Sequence, residues 1–407
     1  MTPAQPVSAP IEALSTALWD VAVVGGGPAG AVAALTLARR GHRVVLIEAK
    51  APPREKVCGD ALLPDALEIL SRLGLEEEVR QAGHRAHPAR VYSPSRLWFD
   101  LPLDLVTIKR SRLDLILVTK AVEAGAVLGI GRVDQVSYLA SGEVALGIPD
   151  QGTEVRSRAV ILATGAQVQL LRQLGMVSRV APNAVAIRGY VQSSVPEADC
   201  PLTISYDRQL IPGYGWIFPM GEGEYNVGVG MFKTPDQEGP VSLRKRLQRF
   251  VKEFPPARAL FECGDWTDEP RGAPLRCGLN GSAASDGRSI LAVGETIGTT
   301  YPLTGEGIGK AMATAYQAAG IIDAALAEGS LQRLARFDAE LRQHLQQRFE
   351  SYAGAQRLVA RPLITDGIAW WARRNNYLRG RIAGVLQEWL EPIEILSGRR
   401  FFRLLTG

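Results

Sequence analysis

Cysteine and long apolar runs are scarce in this sequence, and both shortages exclude classes of protein. The 407 residues include four cysteines, at positions 58, 200, 263 and 277, and no C-x-x-C pair occurs among them. This spacing argues against a zinc site and against a disulfide framework, so we expect no metal and a reducing, cytoplasmic location. No uncharged apolar stretch of about 18 residues occurs, which excludes a membrane-spanning helix.

Positive charge is absent from the N-terminus and small overall. The first 18 residues contain no Lys or Arg and are interrupted by Pro3, Pro6 and Pro10, so neither a signal peptide nor a transit peptide fits. We expect residues 1–17 to form a flexible leader. The net charge of +4 is too small to indicate a nucleic-acid partner. Residues 351–407 contain nine Arg and four acidic residues, so this segment carries the whole excess of positive charge.

A glycine-rich segment near the N-terminus is the most informative feature that is present. Residues 21–24 are apolar and are followed by Gly25-Gly26-Gly27-Pro28-Ala29-Gly30 and an alanine-rich run, a pattern that predicts a strand, a tight turn and a helix. This is the geometry that a pyrophosphate requires, with Gly27 leaving room for the phosphates and Gly30 allowing close helix packing. A second apolar strand ends at Glu48, whose carboxylate is placed to accept hydrogen bonds from a ribose.

A second unit of the same kind lies far along the chain. Residues 289–293 form an apolar run that ends in Gly294-Glu295, and the glycine-containing segment 298–307 leads into a helix predicted over 308–326. Backbone N–H groups at this second helix start can bind an anionic or carbonyl-rich group. Two such units favour a ligand with separate polar ends over a bare nicotinamide dinucleotide.

Segments with β-type alternation interrupt this α/β pattern. They cover residues 184–191 and 202–232, and a hairpin is predicted at 91–101. We therefore predict an α/β fold in which a Rossmann-like dinucleotide-binding domain (18–180 and 270–330) receives an inserted antiparallel β-sheet domain (181–269), with part of 85–110 joining it. Residues 331–407 are predicted to be a helical C-terminal region. Ser111 is expected to cap a helix that runs to Gly125.

Two local patterns leave alternatives open. Tyr214, Trp216 and Phe218 occupy alternate positions and therefore point to one face of a strand, where they form either a core layer or the wall of an apolar pocket. Cys58 follows a polar segment beside the predicted phosphate loop, and it is either a small buried apolar residue or a group near a redox centre.

The motifs resemble those of one family of flavoproteins. The glycine segment with Glu48 is similar to the N-terminal segment of an FAD-binding domain of the aromatic-hydroxylase type. Lys56-Val57-Cys58-Gly59, Arg110 with Leu113-Asp114, and Tyr214-x-Trp216-x-Phe218-Pro219 with Gly228 resemble three segments of the geranylgeranyl reductase family. Two positions depart from the family pattern, because Gly294-Glu295 replaces Gly-Asp and Gly165-Ala166-Gln167-Val168 replaces Gly-Ala-Asp-Gly.

The resemblance implies a role for individual residues. Cys58 would face the flavin as the catalytic candidate, and the aromatic segment with Pro219 and Gly228 would line a channel for an apolar chain. The residues expected to bind FAD are Gly25, Gly27, Pro28, Ala29, Gly30, Glu48, Ala49, Arg54, Cys58, Gly59, Arg110, Ala163, Thr164, Gly165, Gly294, Glu295, Pro302, Gly305, Gly307 and Ile308.

The resemblance also implies an activity. We expect an FAD-dependent oxidoreductase that reduces carbon–carbon double bonds of a long apolar substrate, such as an isoprenoid lipid, with NADPH, NADH or an electron-donor protein as the source of electrons. The alternative is a flavin-dependent monooxygenase or halogenase, since these share the scaffold. Halogenases typically carry two tryptophans in the aromatic motif, whereas Tyr214 stands at the first position here. The C-terminal region is expected either to contact a membrane surface or to cap the FAD domain.

Overall fold

The computed structural model describes residues 5–233 and 242–396. The described strands are β1 (Ser8–Ala9), β2 (Leu18–Val24), β3 (Val44–Glu48), β4 (Ala61–Leu62), β5 (His84–Ala86), β6 (Ala89–Tyr92), β7 (Trp98–Leu101), β8 (Leu105–Thr107), β9 (Val127–Ile130), β10 (Gln135–Tyr138), β11 (Val144–Ile148), β12 (Thr153–Leu162), β13 (Ala184–Ser193), β14 (Leu202–Ser205), β15 (Tyr214–Gly221), β16 (Glu224–Phe232), β17 (Gly264–Trp266), β18 (Arg271–Leu275) and β19 (Ile290–Ala292).

The helices alternate with the strands in the first part of the chain and dominate the last part. The described helices are α1 (Ile11–Ser15), α2 (Pro28–Arg39), α3 (Pro64–Arg72), α4 (Glu76–Ala82), α5 (Arg110–Glu123), α6 (Gln169–Gln173), α7 (Leu243–Glu253), α8 (Pro255–Glu262), α9 (Ile308–Ala327), α10 (Phe337–Val359), α11 (Pro362–Ala372), α12 (Asn376–Leu386) and α13 (Pro392–Leu396).

The first sheet carries the dinucleotide-binding motif. Its order is β1-β9-β3-β2-β12-β11-β10, and β19 pairs with β12. The central pairs β3–β2, β2–β12 and β12–β19 are parallel, whereas β10, β11 and β12 form an antiparallel extension. Because β2 and β19 both pair in parallel with β12, the glycine segments that follow them leave the sheet at the same edge.

The second sheet is mainly antiparallel, and its strands come from three separate parts of the chain. Its order is β17-β13-β16-β15-β14-β6-β7, and β18 pairs with β13. The mixed α/β class predicted from sequence is confirmed. The predicted domain boundaries stay a prediction, but this sheet takes in β6 and β7 from the predicted 85–110 segment and β18 from beyond position 269.

The C-terminal helices pack against the second sheet as well as the first domain. Phe99 and Leu101 of β7 share an apolar cluster with Ala369 and Ala372 of α11. Phe349 and Tyr352 of α10 belong instead to the large core around the parallel sheet. The helical region therefore connects the two sheets.

Two local expectations differ from the structure. Part of the expected flexible leader forms β1, which pairs with β9, and α1, whose Ile11 and Leu14 are buried, because these apolar side chains find a place in the core. Ser111 does not cap α5, because this helix already begins at Arg110. The N-cap residue is Lys109, whose side chain makes no capping hydrogen bond. The Arg110 amide instead donates a hydrogen bond to Asp60 Oδ1 at 3.3 Å, so a residue from a distant segment satisfies this helix start.

Candidate functional site: a two-ended pocket between the sheets

One pocket of about 460 Å³ lies where the two sheets meet, and we call it the main pocket. Its wall contains residues of both glycine segments, of the Arg54–Asp60 segment and of β15. Most of the residues expected to bind FAD or substrate lie on this wall: Gly25, Gly27, Pro28, Ala29, Glu48, Ala49, Arg54, Cys58, Gly59, Arg110, Ala163, Thr164, Gly165, Tyr214, Trp216, Phe218, Glu295, Gly305, Gly307 and Ile308.

Five of the expected site residues are not part of this wall. Gly30, Pro219, Gly228, Gly294 and Pro302 are absent from it, and two of them act by leaving space. A Cβ at Gly30 would lie 1.7 Å from the carbonyl oxygen of Gly25, and one at Gly228 would lie 2.2 Å from the Trp216 ring. Both glycines therefore fix the shape of the pocket from behind.

The turn after β2 has the geometry that the sequence predicts. Gly25 has a φ of +108°, a region that glycine adopts without strain. Pro28 occupies the first turn of α2, where its missing N–H costs nothing. The N-terminus of this 12-residue helix therefore faces the pocket and favours a negatively charged ligand group.

Positive charge surrounds this helix start. A Cβ at Gly27 would lie 3.6 Å from Arg54 Nη2 and 3.7 Å from Arg110 Nη2. Arg110 is buried and forms a bidentate ion pair with Asp114, both hydrogen bonds measuring 2.8 Å. The buried Asp114 carboxylate keeps the pKa of Arg110 raised above its ordinary value. Arg110 therefore presents a fixed cation to the pocket.

Glu48 lies at the end of β3, as the sequence predicts. Its Oε2 accepts a hydrogen bond of 2.6 Å from the Gly26 amide, and its Oε1 lies 3.1 Å from Arg54 Nε. These two contacts hold the carboxylate at the pocket edge, where it can accept hydrogen bonds from a ribose.

The second glycine unit forms the opposite side of the pocket. Glu295 follows β19, and its Oε2 lies 3.9 Å from Lys56 Nζ. Tyr214 donates a hydrogen bond of 2.6 Å from its hydroxyl to the Thr304 carbonyl. This bond ties the aromatic strand β15 to the loop that precedes α9, so the apolar and polar parts of the pocket share one frame.

Cys58 lies beside a buried carboxylate that the sequence did not identify. The Asp60 amide lies 3.3 Å from Cys58 Sγ, and Asp60 itself is fully buried. Burial, together with the nearby Asp60 charge, raises the pKa of the Cys58 thiol. Cys58 therefore carries its proton at neutral pH.

Asp60 is held by a network that reaches the second sheet. Tyr190 donates to Asp60 Oδ2 at 2.5 Å and Asn226 donates to the same oxygen at 2.8 Å. Asn226 Oδ1 in turn accepts a hydrogen bond of 2.9 Å from Trp216 Nε1. Burial raises the pKa of Asp60 to about 6. The signal in the sequence was a polar residue, Asn226, within an apolar strand, because a buried amide needs partners.

The aromatic residues line the pocket instead of forming a closed core layer. The ring centroids of Tyr214 and Trp216 are 6.0 Å apart and those of Trp216 and Phe218 are 6.3 Å apart. Aliphatic side chains continue this apolar wall: Leu63, Leu103, Leu105, Leu202, Ile204 and Leu386. The pocket thus has a charged end at α2 and an apolar end at β15.

A buried acidic cluster lies behind the second glycine unit. One carboxylate oxygen from each of Asp65, Glu306 and Glu388 lies within 4.8 Å of the others. Such a set could bind a metal ion, but Lys310 Nζ lies 3.1 Å from Asp65 Oδ2 and also pairs with Glu388. The Lys310 ammonium group is therefore the cation of this cluster.

The pocket fits a flavin dinucleotide at both ends. The α2 N-terminus, Arg54 and Arg110 supply positive charge where a pyrophosphate would lie, and Glu48 supplies a ribose acceptor. At the apolar end, aromatic and aliphatic side chains beside Cys58 offer an apolar surface to a ring system and a substrate chain.

Comparison with known proteins agrees with this geometry. Residues 19–138 match the model of a family described as FAD binding domain. A menaquinone reductase of Mycolicibacterium smegmatis is 34% identical over 74% of this chain and 76% of its own length. The digeranylgeranylglycerophospholipid reductase of Methanoculleus marisnigri is 30% identical over 80% of this chain and 82% of its own length.

The chain belongs to the geranylgeranyl reductase family of FAD-dependent oxidoreductases. The family assignment and the FAD cofactor predicted from sequence are confirmed. The roles predicted for the individual site residues stay predictions, although the structure brings most of them to one pocket.

Solved structures share the fold of this reductase-family chain. A geranylgeranyl bacteriochlorophyll reductase-like protein of Thermoplasma acidophilum has a TM-score of 0.75 at 21% identity, over 93% of this chain and 98% of that chain. A flavin-dependent brominase has a TM-score of 0.73 at 20% identity, over 95% of this chain and 98% of that chain. At such identities the likeness concerns the fold alone.

Over residues 5–233 and 242–396, no helix of this family member is both long enough and apolar enough to span a membrane.

Proposed function

We propose that this oxidoreductase reduces carbon–carbon double bonds of a long apolar substrate, such as the prenyl chain of a quinone or lipid. The observation that carries the proposal is the apolar end of the main pocket, where Tyr214, Trp216 and Phe218 continue into aliphatic side chains. A wall of this kind binds a flexible hydrocarbon chain by excluding water from it. The names of the related reductases support the same substrate class.

In this reaction, different pocket residues have different roles. Bound FAD supplies the hydride in its reduced form. The aromatic wall orients the double bond and excludes water, which matters because an unactivated alkene reacts only when it is held close to the donor. Cys58 Sγ holds a proton beside this wall and donates it to the carbon opposite the hydride. Asp60, Asn226 and Tyr190 keep Cys58 in place.

A single-turnover experiment tests the proposal. The purified flavoprotein is reduced without air and mixed with menaquinol, whose ring is already reduced, or with a phospholipid that carries two geranylgeranyl chains. We expect flavin reoxidation and a product heavier by the mass of two hydrogens. The same lipid with saturated chains is the control and should leave the flavin reduced. Reduced flavin that persists with every prenyl lipid would contradict the proposal.

The oxygenase alternative is distinguished by the same reduced protein. A monooxygenase or halogenase mixed with air passes through a transient hydroperoxide absorbance and reoxidises quickly, whereas the reductase is expected to reoxidise slowly in air and quickly with the alkene. The curated relatives named above are reductases, which favours the second outcome.

The electron donor is part of the proposal. Lys56 on the pocket wall offers a cation to the phosphates of NADPH or NADH, since Arg54 and Arg110 are expected to hold FAD. We expect one of these nucleotides to bleach the flavin in the absence of air. If neither nucleotide reduces the flavin, an electron-donor protein is the source of the electrons.

We further propose that the C-terminal helices contact a membrane surface peripherally. The end of the basic segment 351–407, on which this expectation rests, lies outside the described residues from position 397 onward. Within them, Leu363 and Trp370 of α11 are 84% and 55% exposed, and seven-residue spacing places them on one helix face. Arg374 follows the end of α11, and its guanidinium lies 4.4 Å from the Trp370 ring. Exposed apolar residues beside cations suit an anionic lipid surface.

Vesicle binding tests this contact. We expect the protein to float with vesicles that contain anionic lipid, more weakly as salt rises, and Leu363→Glu with Trp370→Glu to abolish flotation. Val180, which is 48% exposed and lies outside the C-terminal helices, provides the control Val180→Glu. Unchanged flotation of the double variant would contradict the proposal and would leave the helices as a cap on the FAD domain.

A further inference from the structure

The buried cluster of Asp65, Glu306, Lys310 and Glu388 lies between the main pocket and a second cavity at the surface. Glu306 is part of the wall of the main pocket. Asp65 and Lys310 are part of the wall of a surface cleft that also includes Arg40 and Glu68. We call these four side chains the acid–lysine cluster, and it borders solvent on one side and the redox site on the other.

The fold brings the members of the acid–lysine cluster from distant parts of the chain. Asp65 lies in the first turn of α3, Glu306 precedes α9, Lys310 lies in α9, and Glu388 follows α12. Asp65 can approach α9 because position 309 is glycine, where a Cβ would lie 2.0 Å from Asp65 Oδ2.

The cluster contains carboxylate oxygens with free hydrogen-bonding capacity. Glu306 is 93% buried, and its Oε1 accepts a hydrogen bond of 2.7 Å from the Gly309 amide. Its Oε2 is buried and has no hydrogen-bond partner within the described part of the chain, and the same holds for Glu388 Oε1. A buried carboxylate oxygen without a donor is costly when ionised and acceptable when it carries a proton.

The charges around the acid–lysine cluster also favour a protonated carboxylate. Asp65, Glu306 and Glu388 would carry three negative charges if all were ionised. The facing cations are Lys310 and Arg348, while Tyr301 and Tyr352 of the neighbouring elements are neutral. Arg348 Nη1 lies 3.6 Å from Glu388 Oε2, and its Nε lies 3.7 Å from Glu391 Oε1. Two cations, one of them shared with Glu391, do not offset three buried carboxylates, so at least one retained proton is needed for neutrality.

The titration behaviour agrees with this count. Burial and the neighbouring carboxylates raise the pKa of Glu306 well above its ordinary value, and burial together with Asp65 raises that of Glu388 to about 7. Carboxylates this close titrate as a coupled group, and the raised pKa values favour a retained proton.

We propose that the acid–lysine cluster stores one exchangeable proton and passes it from the surface cleft to the main pocket. This inference rests on the proposed function. Reduction of a double bond breaks the π bond and forms two C–H bonds, one from the flavin's hydride and one from a proton. Glu306 Oε2 supplies the proton that replaces the one lost from Cys58 Sγ. Asp65 and Lys310 then restore the proton on Glu306 from the solvent of the cleft.

Infrared spectroscopy of the flavoprotein tests the stored proton without turnover. In the difference between the wild-type spectrum and that of Glu306→Gln at neutral pH, the flavin bands cancel. We expect a carboxylic-acid C=O band that shifts in D₂O. Glu68→Gln is the matched control, since Glu68 borders the same cleft outside the cluster, and it should leave the band in place. The lack of a carboxylic-acid band in the wild type would overturn the proposal.

Turnover of a prenyl lipid tests the delivery of the proton. Gln at position 306 keeps an oxygen that can accept from the Gly309 amide, so we expect unchanged FAD content. We expect a roughly 10²-fold loss of turnover in Glu306→Gln and Asp65→Asn, together with loss of the decline in rate above neutral pH. A wild-type rate and pH profile in both variants would overturn the proposal. If the wild type reduces no prenyl lipid but keeps the band, the proposed function fails and the stored proton stands.

Discussion

At the scale of single residues, the chemistry of this protein depends on where protons are held. Cys58 and Asp60 are two positions apart, and both are kept protonated more strongly than usual because they are buried at the meeting point of the two sheets. Local sequence identified Cys58 as a candidate, but it gave no reason to consider Asp60. The partners of Asp60, Tyr190 and Asn226, come from β13 and β16, far along the chain.

The first prediction concerns Cys58. We expect Cys58→Ser to keep its FAD content and to lose turnover by roughly 10²-fold, because the hydroxyl is a weaker acid than the thiol in the same place. Steady-state rates and the flavin absorbance measure both effects. The exposed Cys263 provides the control Cys263→Ser, and equal activity in the two variants would remove Cys58 from the mechanism.

The second prediction concerns the pH dependence of stability. The pKa of Asp60 rises from 3.8 to about 6 on folding, so the folded state binds a proton more tightly than the unfolded state does. The stabilisation is present below about pH 4 and is lost as pH rises through about 6, amounting to roughly 3 kcal/mol. Asparagine tolerates the φ of +65° at this position. The variant Asp60→Asn should therefore lack this decrease in the free energy of unfolding with rising pH.

Urea unfolding of the wild type and the variant over this pH range measures the Asp60 slope. The exposed Asp199 provides the control Asp199→Asn, which is expected to follow the wild type. A slope that persists in Asp60→Asn would assign it to another group.

At the scale of elements, the shape of the apolar wall is set by glycines in β16. Gly228 lies opposite Trp216 in the β15–β16 pair, and the Trp216 ring occupies the space that a side chain at position 228 would need. Gly230, two residues along the same face, leaves 3.7 Å between its Cβ position and the same ring. The two positions therefore lie on the same face of the same strand but differ in the room available for a side chain.

The third prediction compares these two glycines. Gly228→Ala should displace the Trp216 ring, lower the free energy of unfolding by about 1–3 kcal/mol and weaken binding of the prenyl lipid. Gly230→Ala should change neither quantity by much, because its contact is an ordinary van der Waals distance. Denaturant unfolding and lipid titration measure the two effects. Equal behaviour of the variants would show that the ring position is not limited by this strand.

At the scale of the whole molecule, the main pocket joins parts of the chain that are separate in sequence. Its wall includes the turn after β2, the loop before α9, the aromatic strand β15 and Leu386 of α12. A single dinucleotide that contacts both glycine units is therefore expected to stabilise the whole fold and not one element.

The fourth prediction concerns cofactor removal. At a free FAD concentration of 100 times Kd, the free energy of unfolding should rise by about 2.7 kcal/mol over the FAD-free protein, and the melting temperature should depend on FAD concentration. In Gly27→Val, whose Cβ would lie 3.6 Å from Arg54 Nη2 and 3.7 Å from Arg110 Nη2, we expect the melting temperature of the FAD-free protein to stay the same and the FAD-dependent rise to disappear. A full shift in this variant would place the cofactor elsewhere.

The sequence by itself determined those structural features that depend only on residues adjacent in the chain. The glycines after β2 impose their turn through backbone geometry, the alternation of β15 places its three aromatic rings on one face, and the acidic end of β3 follows from the strand pattern. Each of these depends on neighbours within a few residues, so the FAD-binding fold and most of the pocket residues could be predicted.

Only the tertiary structure decided what depends on contacts between distant segments. The place of Ile11 and Leu14 in the core, the use of Asp60 at the start of α5 and the meeting of Asp65 with Lys310 all require side chains that are far apart in sequence. Burial changes the protonation of such groups only after folding has removed water from them, and no local pattern records that removal.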